Sequence, residues 1–376
     1  MEDVLTTWLE VDLGAIQHNY RLLRTISQRP VMAVIKANAY GHGISGVVPA
    51  LIHVGAPWCG VARIEEALDV RQFDPDIQIL VLGYTNPYWV DEAIAQGICL
   101  TVFDPITAEA YATRARALGR ALRVHIKVDT GMGRLGVLSG EAVEFVRWLM
   151  DLRGLEVDGL YTHFARADES DPTPTLEQVR RFDGVVGALS ALGLRPRWVH
   201  ASNSAAIFNF PQARYDLVRA GIALYGLHPS PETPLPASFR PAMALKARLV
   251  SLKTLPPGSG VGYGHRYVTS GYERIGVVAA GYADGIRRVL GNEVLVRGRR
   301  VPVLGTPCMD QIMIQLDGVA QAKPGDEVVI FGRQGEACIP VEEVAQRWGT
   351  INYEVVTSMM ARLPRIYSES HGEENE

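Results

Sequence analysis

The chain has 376 residues, 47% hydrophobic and 21% charged, with 37 Lys+Arg against 41 Asp+Glu for a formal net charge of -4. Such a composition excludes a disordered or fibrous chain, and it offers no basic excess for a nucleic-acid partner. Cys59, Cys99, Cys308 and Cys338 lie far apart with no C-x-x-C pair, which fits reduced thiols better than a disulfide framework or a zinc site. The N-terminal MEDVLTTWLEVDL is acidic and does not read as a signal peptide, and no run of eighteen apolar residues suggests a membrane span. The expectation is a cytoplasmic globular protein of two domains.

In chain order, short β-branched runs alternate with longer helical patterns from about residue 31 to 227. The runs are VMAVIKA (31–37), WCGVA (58–62), IQILVL (77–82), ICLTV (98–102), LRVHIKVD (122–129), LEVDGLYTH (155–163), RWVHAS (197–202) and YDLVRAG (215–221). Segments such as PITAEAYATRARALGR (105–120) carry apolar residues at three- and four-residue spacing. Eight strands separated largely by helices predict an eight-stranded parallel (β/α) TIM-type barrel over 1–235. A doubly wound open sheet is the alternative, but no G-x-G-x-x-G follows the first strand. HPSPETPLPASFRPA (228–242), with five prolines, reads as a linker. Beyond it, LKARLVSLKTL, IGVVAAG, EVLVRG and EVVIFG predict an all-β domain over 236–376. The final SESHGEENE reads as a frayed polar tail.

Lys36 ends the apolar run VMAVIK and is followed by A-N-A-Y-G-H-G. A lysine closing a buried parallel strand stands at the rim where barrels place active sites, and desolvation there favours the neutral amine a Schiff base requires. A lysine snorkelling from a strand end is the bland alternative. The nine histidines form no H-x-x-x-H or H-E-x-x-H pattern, so no metal site is indicated.

V-M-A-V-I-K-A-N-A-Y-G-H-G resembles the pyridoxal phosphate attachment motif of bacterial alanine racemases. K-V-D-T-G-M-G-R-L-G (127–136), G-L-Y-T-H-F-A (159–165), H-A-S-N-S-A-A (200–206), V-R-A-G-I-A-L-Y-G (218–226), V-G-Y-G (261–264), G-Y-A-D-G (281–285), C-M-D-Q (308–311) and I-N-Y-E-V (351–355) are similar to that family in the same order. The resemblance implies a barrel plus β domain working as a homodimer in the cytoplasm. It also implies racemisation of L- and D-alanine on pyridoxal phosphate, supplying D-alanine for peptidoglycan.

By that resemblance Lys36 holds the cofactor and is the base on one face of the substrate Cα, while Tyr263 from the partner subunit is the base on the other. Arg219 faces the pyridine nitrogen, where a fixed cation disfavours ring protonation, and His200 stands behind it. Tyr40, Ser204, Tyr353 and the amides of Gly221 and Ile222 hold the phosphate, and His163 packs on the cofactor ring. Arg134 suits a carboxylate or the cofactor oxygen. Met309 supplies a backbone contact to the substrate carboxylate across the dimer. Without the resemblance, Tyr263 is a hairpin tyrosine, Met309 a core methionine, Arg219 an ion-paired arginine, and His163 and His200 core histidines.

In LRVHIKVD, His125, Lys127 and Asp129 share one strand face. Some racemases of the family carry a carbamylated lysine at the position of Lys127, and a carbamate there would pair with Arg134. An ordinary ion pair with Asp129 or another carboxylate is the alternative. Competing functions are a pyridoxal phosphate decarboxylase of similar fold, a serine or broad-specificity racemase, and a silent cofactor-binding protein. The decarboxylases carry a cysteine–aspartate pattern that C-M-D matches poorly, and the silent binders resemble the barrel alone.

Overall fold

The computed structural model describes residues 4–369; residues 1–3 and most of the expected polar tail, 370–376, lie outside them. The chain divides into two compact units. One comprises Ala15–Ala39 and Ile44–Arg240. The other takes the described residues up to Gly14, the segment Tyr40–Gly43, and everything described from Pro241 onward.

The first is a parallel barrel. Strands Val31–Val34, Trp58–Val61, Gln78–Val81, Cys99–Val102, Leu122–Asp129, Leu155–Tyr161 and Trp198–His200 pair in that order, and Val218–Ala220 pairs with the first. Every pairing is parallel. All eight sequence-predicted strands are present. The ring is nearly closed: between Trp198–His200 and Val218–Ala220, Asp216 N donates to Val199 O and Arg219 N to Ser202 O, both at 3.0 Å. The helices form for local reasons as well as tertiary ones. In Pro105–Ala117, Asp104 caps the Thr107 amide at 2.8 Å, proline opens the first turn, and Ala108, Tyr111, Ala112 and Ala115 supply the buried stripe. Met32, Trp58, Leu80, Cys99 and Leu217 pack as one apolar cluster inside the unit.

The second unit is built on a nine-stranded sheet ordered Arg299–Pro302, Glu293–Val296, Glu327–Gln334, Met243–Leu255, Thr7–Asp12 and Arg365–Ser368, with three further strands pairing at its sides. Two features depart from the sequence expectation. Thr7–Asp12, expected within 1–235 of the barrel domain, lies antiparallel to Met243–Leu255 and parallel to Arg365–Ser368, with Trp8 and Leu9 fully buried. The unit is also sheet-rich rather than all-β, because Val341–Trp348 and Asn352–Thr357 are helical. Val341, Val344, Ala345 and Trp348 make an apolar helical stripe, and Gly349 ends it in the left-handed region. Among the described residues no helix is long and apolar enough to cross a membrane, and all four cysteines are free.

Candidate active site

Lys36 stands just past the fully buried strand Val31–Val34. The backbone then does something unusual: Ala37, Asn38, Ala39 and Tyr40 all have φ between 51° and 54°. Four successive non-glycine residues in the left-handed region cost roughly 1–2 kcal/mol each, and such strain persists only where surrounding structure fixes it. Glu66 is one such support. Its carboxylate accepts from Ala37 N at 2.6 Å, Ala62 N at 2.8 Å and Arg63 N at 3.1 Å. Asn38 Oδ1 accepts from Ile44 N at 2.9 Å. Gly41 continues the run at φ 82°, and a Cβ there would meet Val356 O at 2.0 Å, so only glycine fits.

Around Lys36 the barrel unit gathers cations. Burial lowers its amine pKa first, Arg134 lowers it further, and Glu66 partly opposes them. Lys127, 5% exposed, lies over the Tyr161 ring at 5.3 Å. Burial, with Arg219, Arg134 and Lys36 nearby, brings its pKa down to about 8. The Lys127–Asp129 ion pair considered from sequence does not form. Asp129 Oδ1 instead accepts from the amides of Gly131, Met132 and Gly133 at 2.9, 2.9 and 3.2 Å. It thereby shapes the loop that presents Arg134, whose side chain is exposed.

Arg219 is 3% exposed and donates to the carbonyls of Thr162 and Ala201 and to His200 Nδ1, each at 2.7 Å. Among the described residues no carboxylate bonds to it, and burial lowers its pKa to about 10. His163 Nδ1 lies 3.3 Å from the same guanidinium. Burial, followed by the charges of Arg219, Lys127, Arg134 and Lys36, holds His163 neutral, well below the usual histidine range. Ser204 opens the helix Ser204–Asn209, and its Oγ accepts from Gly221 N at 3.0 Å and Ala223 N at 3.3 Å. The Gly221 amide, assigned to phosphate from sequence, thus already has a partner. Ile222 begins the adjoining 3-10 turn Ile222–Tyr225.

The barrel unit therefore brings together Lys36, Arg134 and His163, which follow strand ends, with Lys127 and Arg219, which lie within the last residues of their strands. In the other unit Tyr40, 8% exposed, and Tyr353 face each other with ring centroids 6.3 Å apart. Tyr263 sits at the tip of the ribbon formed by Gly260–Val261 and Tyr267–Val268, and 71% of it is exposed. Met309 is 53% exposed, and its carbonyl accepts from Ala283 N at 3.0 Å.

Sequence reasoning passed over Tyr161, Glu66 and the role of Asp129. Tyr161 stacks on His200 at 4.8 Å and 4° and bears both Lys127 and Arg219 on its ring. Its presence in G-L-Y-T-H-F-A was the available signal.

A parallel barrel with a cationic rim and a sheet-rich second unit is the layout of barrel-type amino-acid racemases, which are isomerases. Residues 11–229 match the family described as alanine racemase, N-terminal domain, and residues 242–367 match alanine racemase, C-terminal domain. An alanine racemase of Carboxydothermus hydrogenoformans is 44% identical over 364 residues, covering 96% of this chain and 99% of that one. The structure of alanine racemase from Clostridium difficile 630 superposes with a TM-score of 0.93 at 37% identity, covering 98% of this chain and 97% of that one. The alanine racemase of Bacillus anthracis with bound L-Ala-P gives 0.89 at 38% identity, covering 98% and 96%. The chain belongs to the alanine racemase family, whose members use pyridoxal phosphate.

Proposed function

We propose that this chain binds pyridoxal phosphate through Lys36 and interconverts L- and D-alanine by a two-base mechanism, as a homodimer in the cytoplasm that supplies D-alanine for peptidoglycan. The observation that carries the reading is the set of Lys36, Arg134 and Arg219, gathered around Lys127 at one end of the barrel, against the carboxylates of Glu66 and Asp129 among the described residues. Cations in that ratio suit a multiply anionic ligand. When bound, pyridoxal phosphate supplies an electron sink that acidifies the Cα–H of an amino acid.

The residues then have separate tasks. Lys36, its ammonium disfavoured by burial, takes or returns the proton on one face of Cα. Arg219 would stand at the ring-nitrogen end of the cofactor as a donor only, a partner that disfavours a proton there and limits how far the ring draws electrons. Ser204 and Ile222 belong to the phosphate end, with Tyr40 and Tyr353 assigned there by resemblance. His163, buried and neutral, would pack on the cofactor ring. Tyr263 and Met309 are assigned to a second copy's site, Tyr263 as the base on the opposite face, and both side chains are exposed within their own chain.

Lys127 is assigned a carbamate. Its amine, at a pKa of about 8, is partly neutral near physiological pH. Attack on carbon dioxide forms the N–C bond, the nitrogen loses one proton to water, and the resulting anion pairs with Arg134.

The deciding experiment follows the optical rotation of L-alanine and L-serine with wild type and Lys36→Ala. The proposal expects fast loss of rotation for alanine, slower for serine, and none in the variant. Wild-type turnover by Lys36→Ala would end it.

A further inference from the structure

Behind Arg219 a line of buried rings leads deeper into the barrel. A guanidinium can only donate, so at 2.7 Å His200 Nδ1 must accept from Arg219, which leaves the His200 proton on Nε2. His200 Nε2 lies 3.0 Å from His125 Nδ1 and donates to it, which places the His125 proton on Nε2. That Nε2 has no hydrogen-bond partner in its surroundings and faces Asp158 Oδ2 at 3.8 Å. Direction is thus fixed from Arg219 to His125 Nε2, which faces the carboxylate without bonding to it.

The two imidazoles are fully buried and held on their faces and edges. Tyr161 stacks on His200, and Trp58 meets His125 edge-on at 5.5 Å. At Gly159 a Cβ would lie 2.3 Å from His125 Nδ1, so the strand carries glycine where the ring needs the space.

Cys99, His125 and Asp158 bring one ligand atom each within 4.8 Å of one another, a trio that resembles a metal site. The chain's polarity opposes that use. With Nδ1 already accepting, a metal on Nε2 would require an imidazolate, and burial raises the Cys99 thiol to about 12, so it stays protonated.

We propose that His125 and Asp158 are positioning residues for Arg219: His125 accepts from His200 and holds that ring against the guanidinium, and Asp158 sets a carboxylate facing the proton at the far end of the chain. The role in turnover rests on the proposed function; the tautomer pattern does not. The charged and titratable groups facing the pair are Arg123, Arg197, Cys99, His200 and, beyond it, Arg219.

The test has two arms. Magnetic resonance of isotope-labelled imidazole nitrogens in the full chain, without cofactor, is expected to show His125 and His200 neutral with protons on Nε2 from about pH 5.5 to 8.5. An Nδ1–H form or an imidazolium at either ring in that range overturns the chain whatever the enzyme does. In cofactor-saturated protein, Asp158→Asn is expected to lose kcat roughly tenfold, the scale seen for partners behind a ligating side chain, with KM unchanged and Asp158→Glu restoring most of it. Wild-type kcat in Asp158→Asn, or a loss that Asp158→Glu does not repair, overturns the positioning role. An inactive wild type with the expected tautomers would instead overturn the proposed function alone.

Discussion

The two units treat their assigned residues in opposite ways. In the barrel, Lys127, His163 and Arg219 are desolvated, and burial lowers the pKa of each. In the sheet unit, Tyr263 and Met309 are largely exposed within their own chain. A barrel strand end can make a base out of a lysine by excluding water. An exposed tyrosine gains catalytic character only from a surface laid over it, which on our proposal is a second copy of this chain.

The hardest blow to that contrast would come from Lys36. Lys36→Ala is expected to lose at least about a thousandfold in racemisation, measured by optical rotation, because no other amine takes its place. Tyr263→Phe comes next. It should cost about a hundredfold, retain the visible absorbance of bound cofactor, and exchange the Cα proton of the two alanine enantiomers unequally in deuterated water. Mixing Lys36→Ala with Tyr263→Phe under subunit exchange should recover activity, since one site of a mixed dimer receives both native residues. No recovery despite proven exchange would place both bases on one chain and dissolve the contrast.

Lys127 sharpens it on the barrel side. Its pKa of about 8 lies below the ordinary 10.5, so below about pH 8 both native and unfolded chains hold the proton and the native state bears the whole cost of a buried ammonium. Between those values only the unfolded chain holds it, so stability rises with pH, and above them the penalty is gone. In carbon-dioxide-free buffer, Lys127→Met should therefore be more stable than wild type at pH 7 by roughly 2–3 kcal/mol, read from denaturant midpoints, with the gain fading as pH approaches the ordinary lysine value. A gain that does not change with pH would mean the amine is not desolvated. Smallest is the catalytic effect. Lys127→Ala should lose about tenfold and recover part of it when acetate or another small carboxylate is added. Absence of any recovery would count against the carbamate.

Legibility in the sequence followed the range of the interactions involved. The barrel strands were readable because a buried parallel strand is an unbroken apolar run, as in VMAV and IQILV. Lys36 was visible because such a run ends on it. The turn A-N-A-Y was not legible as left-handed, since three of its four residues have no preference for that region and its supports, including Glu66, come from elsewhere in the chain. The His125–Asp158 contact depends on which strand faces meet inside the ring, a property of closure and not of either strand. The helix Val341–Trp348 was readable by its three- and four-residue spacing, though the surrounding glycines and short strands suggested a purely β region. The strand T-W-L-E-V-D alternates well enough, but its partners are remote.

That remoteness bears on how the protein is made. Thr7 pairs with Ala247 and Leu9 with Arg365, so this strand leaves the ribosome long before its partners do. At ordinary elongation rates of about 5–20 residues per second, Leu9 is without its second neighbour for roughly 20–70 s. Until Met243–Leu255 emerges, the nascent chain carries Trp8, Leu9 and Val11 unpaired, an apolar segment of the kind chaperones engage. The barrel, whose strands pair mostly with their sequence neighbours, can assemble during translation, while the sheet unit is completed only after its last strand emerges.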